Sequence, residues 1–174
     1  ENRVQEASGK KPGVRDARWH LIGPLQRNKA KLAVELFDMV ETVDSLRLAR
    51  ALDKAAAEAG KRLPVLIEVN SAEEPNKHGA LPGAVEELAR AICDTCPHLH
   101  LRGLMTMGPF LDDPEQMRPY FRLTRELLKR IRQGKLPGAH LDTLSMGMSD
   151  SFAVAMAEGA TLVRIGTRLF GPRA

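Results

Sequence analysis

Along the chain, apolar positions change from a strand-like to a helix-like period and back again, and the change recurs six times. The β-rich runs are Arg18 to Gly23, Met39 to Asp44, Val65 to Asn70, Leu101 to Met107, Thr143 to Ser149 and Leu162 to Ile165. Between them, apolar residues recur at helical spacing. Leu32, Ala33, Leu36 and Phe37 share a face in a helix opened by Asn28. Leu48, Ala51, Leu52, Ala55 and Ala59 do so between a capping Ser45 and a stop at Gly60, and Val85, Leu88, Ala89 and Ile92 form a third face. Tyr120, Leu123, Leu127 and Ile131 mark a helix from about Met117 to Gln133. The last helix carries Phe152, Ala153, Met156 and Ala157, is capped by Ser149 or Asp150, and ends at Gly159. A helical pattern at residues 1–11 precedes the first run.

Strand and helix in regular alternation imply a parallel sheet with right-handed crossovers, either an open doubly wound sheet or a (β/α)8 barrel of TIM type. The run VLIEVN is nearly all apolar, as expected of a strand covered on both sides, with Leu66, Glu68 and Asn70 on one face. Polar residues recur at strand C-terminal ends: Glu68 with Asn70, Thr106, Ser145 with Ser149, and Arg164 with Thr167. A barrel gathers such ends from every strand around one axis, whereas an open sheet gathers them only at its switch point. The α/β barrel is therefore expected, although six strands are too few to close one. No linker or repeat divides the chain, so a single domain spans 1–174.

The C-terminal run from Leu144 to Arg173 concentrates the chemistry. It reads as strand, small-residue turn, helix, strand and a second glycine-bearing turn, and the two turns suit one anion. Alternation places Leu162, Arg164 and Gly166 on one strand face. An arginine pointing into a barrel end needs an anionic or hydrogen-bonding partner, and a buried pair with Glu68 is one bland solution.

Composition narrows the function classes. The formal charge of +4 is spread along the chain, and one tryptophan and one tyrosine offer little for base stacking, so no nucleic-acid partner is expected. No apolar run approaches a membrane span and no signal-peptide pattern opens the chain, which points to a cytoplasmic home. Cys93 and Cys96 form a C-x-x-C followed by His98 and His100, but Pro97 interrupts the segment and a second ligand pair is absent. No metal is expected.

In their order along the chain, the motifs ENRVQEA, WHLIGPLQRNK, ETVDS, VNSAEEPNKHG, GLMTM and LSMGMSDSFAVAMAEGATLVRIGTRLFG resemble those of the pyridoxal phosphate homeostasis proteins, the YggS/PROSC family. The resemblance implies a single-domain barrel akin to the N-terminal domain of alanine racemases, with pyridoxal 5′-phosphate (PLP) at the strand C-terminal ends. It also implies a Schiff-base lysine on a first strand, in a motif like A-V-S-K-T, upstream of residue 1. On this reading the chain lacks the first strand and helix and most of the second strand. Lys77 occupies a lysine position typical of the family, and reads equally well as a solvated loop residue.

PLP needs donors for its phosphate, a partner for its pyridine nitrogen and a lysine for its aldehyde. The phosphate donors expected are backbone N–H groups of Met148, Ser149, Gly166 and Thr167, the Ser149 and Thr167 hydroxyls, and the dipole of the intervening helix. Gly166 lets the backbone approach the anion. By resemblance to the racemase fold, Arg164 faces the pyridine nitrogen. Asn2 matches the asparagine of a G-E-N motif in the family, and His20 and Ser145 lie on strands that line the site.

The function expected is intracellular PLP homeostasis by a monomer that buffers or delivers the cofactor, with PLP-dependent apoenzymes as partners. Catalytic turnover is not expected, since no acid–base pair is visible and the sole tyrosine, Tyr120, falls on an outer helix. Two alternatives stand: a fold-type III PLP enzyme such as an amino-acid racemase, and a sugar-phosphate barrel isomerase or aldolase.

Overall fold

The computed structural model describes residues 1–171; residues 172–174, the end of the domain expected over 1–174, lie outside the described residues. Six strands form one parallel sheet: β1 (His20–Leu21), β2 (Met39–Val43), β3 (Leu63–Glu68), β4 (Leu99–Met105), β5 (Thr143–Met148) and β6 (Leu162–Arg164). Each strand pairs with the next in sequence. A doubly wound sheet would reverse its order at a switch point, and this sheet never does.

The helices between the strands are α2 (Ala30–Leu36), α3 (Leu46–Glu58), α4 (Val85–Thr95), α5 (Arg118–Gln133) and α6 (Phe152–Ala157). α1 (Val4–Lys10) precedes the sheet and α7 (Thr167–Phe170) follows it. Ser45 caps α3, accepting from the Leu48 N–H at 3.3 Å, and Gly60 leaves it at φ 61°. Every strand expected from the sequence is present, most of them shorter than the run that predicted it. In α5 the buried face is Phe121, Thr124, Leu127, Leu128 and Ile131. Tyr120 and Leu123 border it.

The sheet curls. Ser145 on β5 donates to Glu41 on β2 at 2.5 Å, yet these strands are three positions apart and on a flat sheet would be separated by about 14 Å. The contact is made across the concave side, so the architecture is a six-stranded parallel half-barrel. Its convex side carries the main core against the helices, while Met39, Leu66 and Met105 form a small apolar layer of their own with Met107.

Two sequence expectations are corrected. α6 buries Val154 and Ala155, while Met156 is exposed and Phe152 is only half-buried. A six-residue helix buries only one short edge, which spacing alone does not reveal. Its cap position is Ser151, not Ser149 or Asp150, and the Ser151 hydroxyl accepts from the Met148 N–H instead.

Five basic residues of α5 are paired, and Arg132 donates to the Leu141 carbonyl. Arg118, Arg122 and Arg125 converge on the buried Glu158, while Lys129 meets Glu126 and Arg130 meets Glu86. Burial pushes the Cys93 and Cys96 thiols up from their ordinary range, and among the described residues no three metal-ligating side chains converge.

Candidate functional site

The C-terminal ends of the strands surround a cleft of about 850 Å³. Of the residues singled out from the sequence, Asn2, His20, Met148, Ser149, Arg164, Gly166 and Thr167 border it. Ser145 does not. It is fully buried behind the cleft and makes contact through Arg164.

Two glycines shape the walls. A Cβ at Gly23 would lie 2.1 Å from the Asn2 carbonyl oxygen, so a side chain there would push Asn2 off the rim. Gly147 has φ +89°, and a Cβ would meet the Ala155 Cβ at 2.5 Å; this turn brings Met148 and Ser149 to the cleft beneath α6.

Arg164 is tied down on two sides. One terminal nitrogen donates to the Ser145 hydroxyl at 2.8 Å, and the other to the Thr106 carbonyl at 2.9 Å and to the Met107 sulfur at 3.2 Å. Its Nε is buried and has no acceptor. Burial pulls the guanidinium below its ordinary value, opposed by the charges of Glu41 and Glu68. The expected alternative, a direct Arg164–Glu68 pair, is absent among the described residues. Glu68 is a neighbouring charge, and the direct contacts are to neutral oxygens and a sulfur.

Glu41, which the sequence reading passed over, completes the network. It is 1% exposed and accepts from Ser145 at 2.5 Å and from the His20 Nδ1 at 2.8 Å. A carboxylate only accepts, so the His20 Nδ1 is the donor in this contact. Donors and acceptors match along the whole path from Arg164 through Ser145 to Glu41 and back to His20. The available signal was a carboxylate within the apolar strand MVETV, which is entirely buried and needed a partner.

At the anion turns, the Ser149 hydroxyl accepts from the Gly166 N–H at 3.2 Å and the Arg168 N–H at 3.5 Å. The Met148 N–H, expected to face the anion, is instead committed to Ser151, because Gly147 turns the chain back before α6 begins. No hydrogen-bond acceptor is found for the Ser149 and Thr167 N–H groups among the described residues. Beside Gly166 a Cβ would meet nothing within 4 Å, so that space is open. An orphaned Nε, an open space at Gly166 and a polar turn opposite fit a flat ligand with one ring acceptor and an anionic arm. PLP has that form.

Comparison with known proteins agrees with this geometry. The family model for the alanine racemase N-terminal domain matches residues 1–174. The pyridoxal phosphate homeostasis protein of Pasteurella multocida (strain Pm70) is 43% identical over 155 residues, covering 89% of this chain and 66% of that protein. The protein of the same name from Aquifex aeolicus (strain VF5) is 42% identical over 175 residues, covering 99% of this chain and 75% of that protein. The chain thus spans about two thirds to three quarters of these relatives. Among solved structures, PipY of Synechococcus elongatus PCC7942 with PLP bound superposes with a TM-score of 0.87 at 36% identity, over 98% of this chain and 80% of that one. On its strand order, its site and these likenesses, the chain belongs to the alanine racemase N-terminal domain family and, within it, to the pyridoxal phosphate homeostasis proteins.

Proposed function

We propose that this chain holds PLP at the half-barrel's strand ends and serves in cofactor homeostasis, buffering or delivering PLP without turning over a substrate. The observation that carries the reading is Arg164. Its terminal nitrogens are spent on the protein, and Nε alone is left as a buried donor without a partner on a residue that borders the cleft. A phosphate or carboxylate would favour the two-pronged edge of a free guanidinium, whereas one fixed donor suits one ring nitrogen.

In this reading Arg164 keeps its proton at Nε and leaves the ring nitrogen unprotonated. Ser149, Gly166 and Thr167 receive the phosphate, while Asn2 and His20 border the ring, with Met148 contributing wall rather than a donor. When bound, PLP supplies an electrophilic aldehyde on an electron-withdrawing ring. An arginine partner weakens that withdrawal relative to a carboxylate, which suits holding the cofactor better than driving carbanion chemistry. The six strands are read as the later part of an eight-stranded barrel, with the aldehyde's lysine on a preceding strand.

A racemase needs a second base opposite the lysine. Tyr120, the chain's one tyrosine, lies on α5 and does not border the cleft. No described helix is long and apolar enough to cross a membrane. The reading extends to a cytoplasmic monomer that passes PLP to apoenzymes.

The test is a titration of the chain with PLP followed by absorbance, with pyridoxal, inorganic phosphate and a sugar phosphate as competitors. PLP should bind more tightly than any competitor, and Arg164→Ala should weaken it. Equal binding of the sugar phosphate, or Arg164→Ala with unchanged affinity, would overturn the reading.

A further inference from the structure

A second cavity, of about 310 Å³, opens at the same end of the sheet, and Asn2, Ile22 and Met107 border both spaces. Its walls mix apolar groups with polar ones, and the one carboxylate among them is Glu68, the last residue of β3, which is 7% exposed. Among the described residues its carboxylate accepts no hydrogen bond and forms no ion pair. Two of the polar side chains that line the cavity are already committed. Asn70 brackets Glu74, donating to its carbonyl at 2.8 Å and accepting from its N–H at 3.2 Å. Ser71 and Thr106 bond each other at 2.9 Å. Arg164, whose charge acts on Glu68, spends its terminal nitrogens on Ser145 and Thr106, and Asp44 adds a second negative charge nearby. A buried carboxylate left in this way is costly, and a cation that brings its own N–H donors relieves the cost.

We propose that this cavity binds a small primary ammonium compound, with the –NH3⁺ against the Glu68 carboxylate and a short apolar body along Ile22, Val69 and Met107. The site is independent of the PLP cleft in its charged residue and its ligand. Four other ionisable groups face Glu68 or its cavity: Asp44 after β2, Arg164 on β6, and Lys77 and His78 at the mouth, where Lys77 reaches Glu74 at 2.7 Å. Burial first, then Asp44, raises the Glu68 carboxyl to about 7, against the lowering effect of Arg164. The ammonium therefore binds the form of Glu68 that prevails above neutrality.

The test is calorimetric titration of the 174-residue chain with n-butylamine, with n-butanol and butyrate as isosteric controls. Butylamine should bind at least about tenfold more tightly than either control, and its affinity should fall roughly tenfold between pH 8 and pH 6 as Glu68 takes up its proton. Glu68→Gln should abolish the preference for the amine. Equal affinity for butanol, a pH-independent butylamine affinity, or an unchanged preference in Glu68→Gln would each overturn the site. The pH arm decides even if that variant misfolds. Ser149→Ala should leave butylamine binding unchanged while weakening phosphate binding, so failure of this proposal is distinguishable from failure of the PLP reading.

Discussion

Arg164 at the end of β6 and Ser145 within β5 are joined by a 2.8 Å hydrogen bond, through which a half-buried cation is linked to the fully buried Glu41. Replacing Arg164 by lysine keeps a charge but removes the planar fork that reaches Ser145, Thr106 and Met107 together. Arg164→Lys should lose about 1.5–3 kcal/mol of PLP affinity, the worth of one charge-assisted hydrogen bond. Absorbance titration of both proteins checks it.

Glu41 is the acceptor on which two strands depend. Glu41→Ala leaves the Ser145 hydroxyl and the His20 Nδ1 without their partner and should cost about 3 kcal/mol of stability. Glu41→Gln retains an acceptor and should cost less. Urea denaturation of the two variants gives the order, and equal losses would deny the carboxylate its linking role.

The strands and most helices were legible in the sequence because burial on two faces imposes its period directly, as in VLIEVN and in the Ser45-capped α3. The site was legible where glycine and small-residue turns constrain the backbone, which is how Ser149, Arg164 and Gly166 were found. Glu41 was missed because its partners His20 and Ser145 lie 21 and 104 residues away, the first on the neighbouring strand and the second brought close only by the curl of the sheet. The Met148 N–H was misassigned because the φ of Gly147 decides where α6 begins.

Glu68 should impose a pH dependence on folding. Its carboxyl is raised from 4.5 to about 7, so the folded chain holds this proton more tightly than the unfolded chain. The stability it contributes is therefore complete below about pH 4.5 and lost as pH rises through about 7, in total about 3 kcal/mol. Glu68→Gln should remove this loss and be more stable than the parent at pH 8. Denaturation at pH 5 and pH 8 on both proteins isolates the difference, and parallel curves would contradict it.

Glu158 ties α6 to α5 through Arg118 at 3.0 Å, Arg122 at 3.3 Å and Arg125 at 2.7 Å. Glu158→Ala should cost about 2 kcal/mol, since the carboxylate is buried while the arginines can regain water. Thermal unfolding in low and high salt checks this, with the gap between the proteins narrowing as salt rises.

Ser149→Ala and Thr167→Ala should each weaken inorganic phosphate binding, by about 1 kcal/mol for a neutral hydrogen bond. Unchanged affinity in both would remove these residues from the cradle.

The Ser149 hydroxyl occupies the N–H groups of Gly166 and Arg168 before any ligand arrives. An incoming anion therefore takes these N–H groups over from the Ser149 oxygen, whose hydroxyl is then free to donate to the anion and returns to them when the anion leaves. The N–H groups of Gly166 and Arg168 are thus satisfied in both states, so for them the exchange costs little. Such a seat favours exchange over permanent capture, as a protein that must surrender its cargo requires.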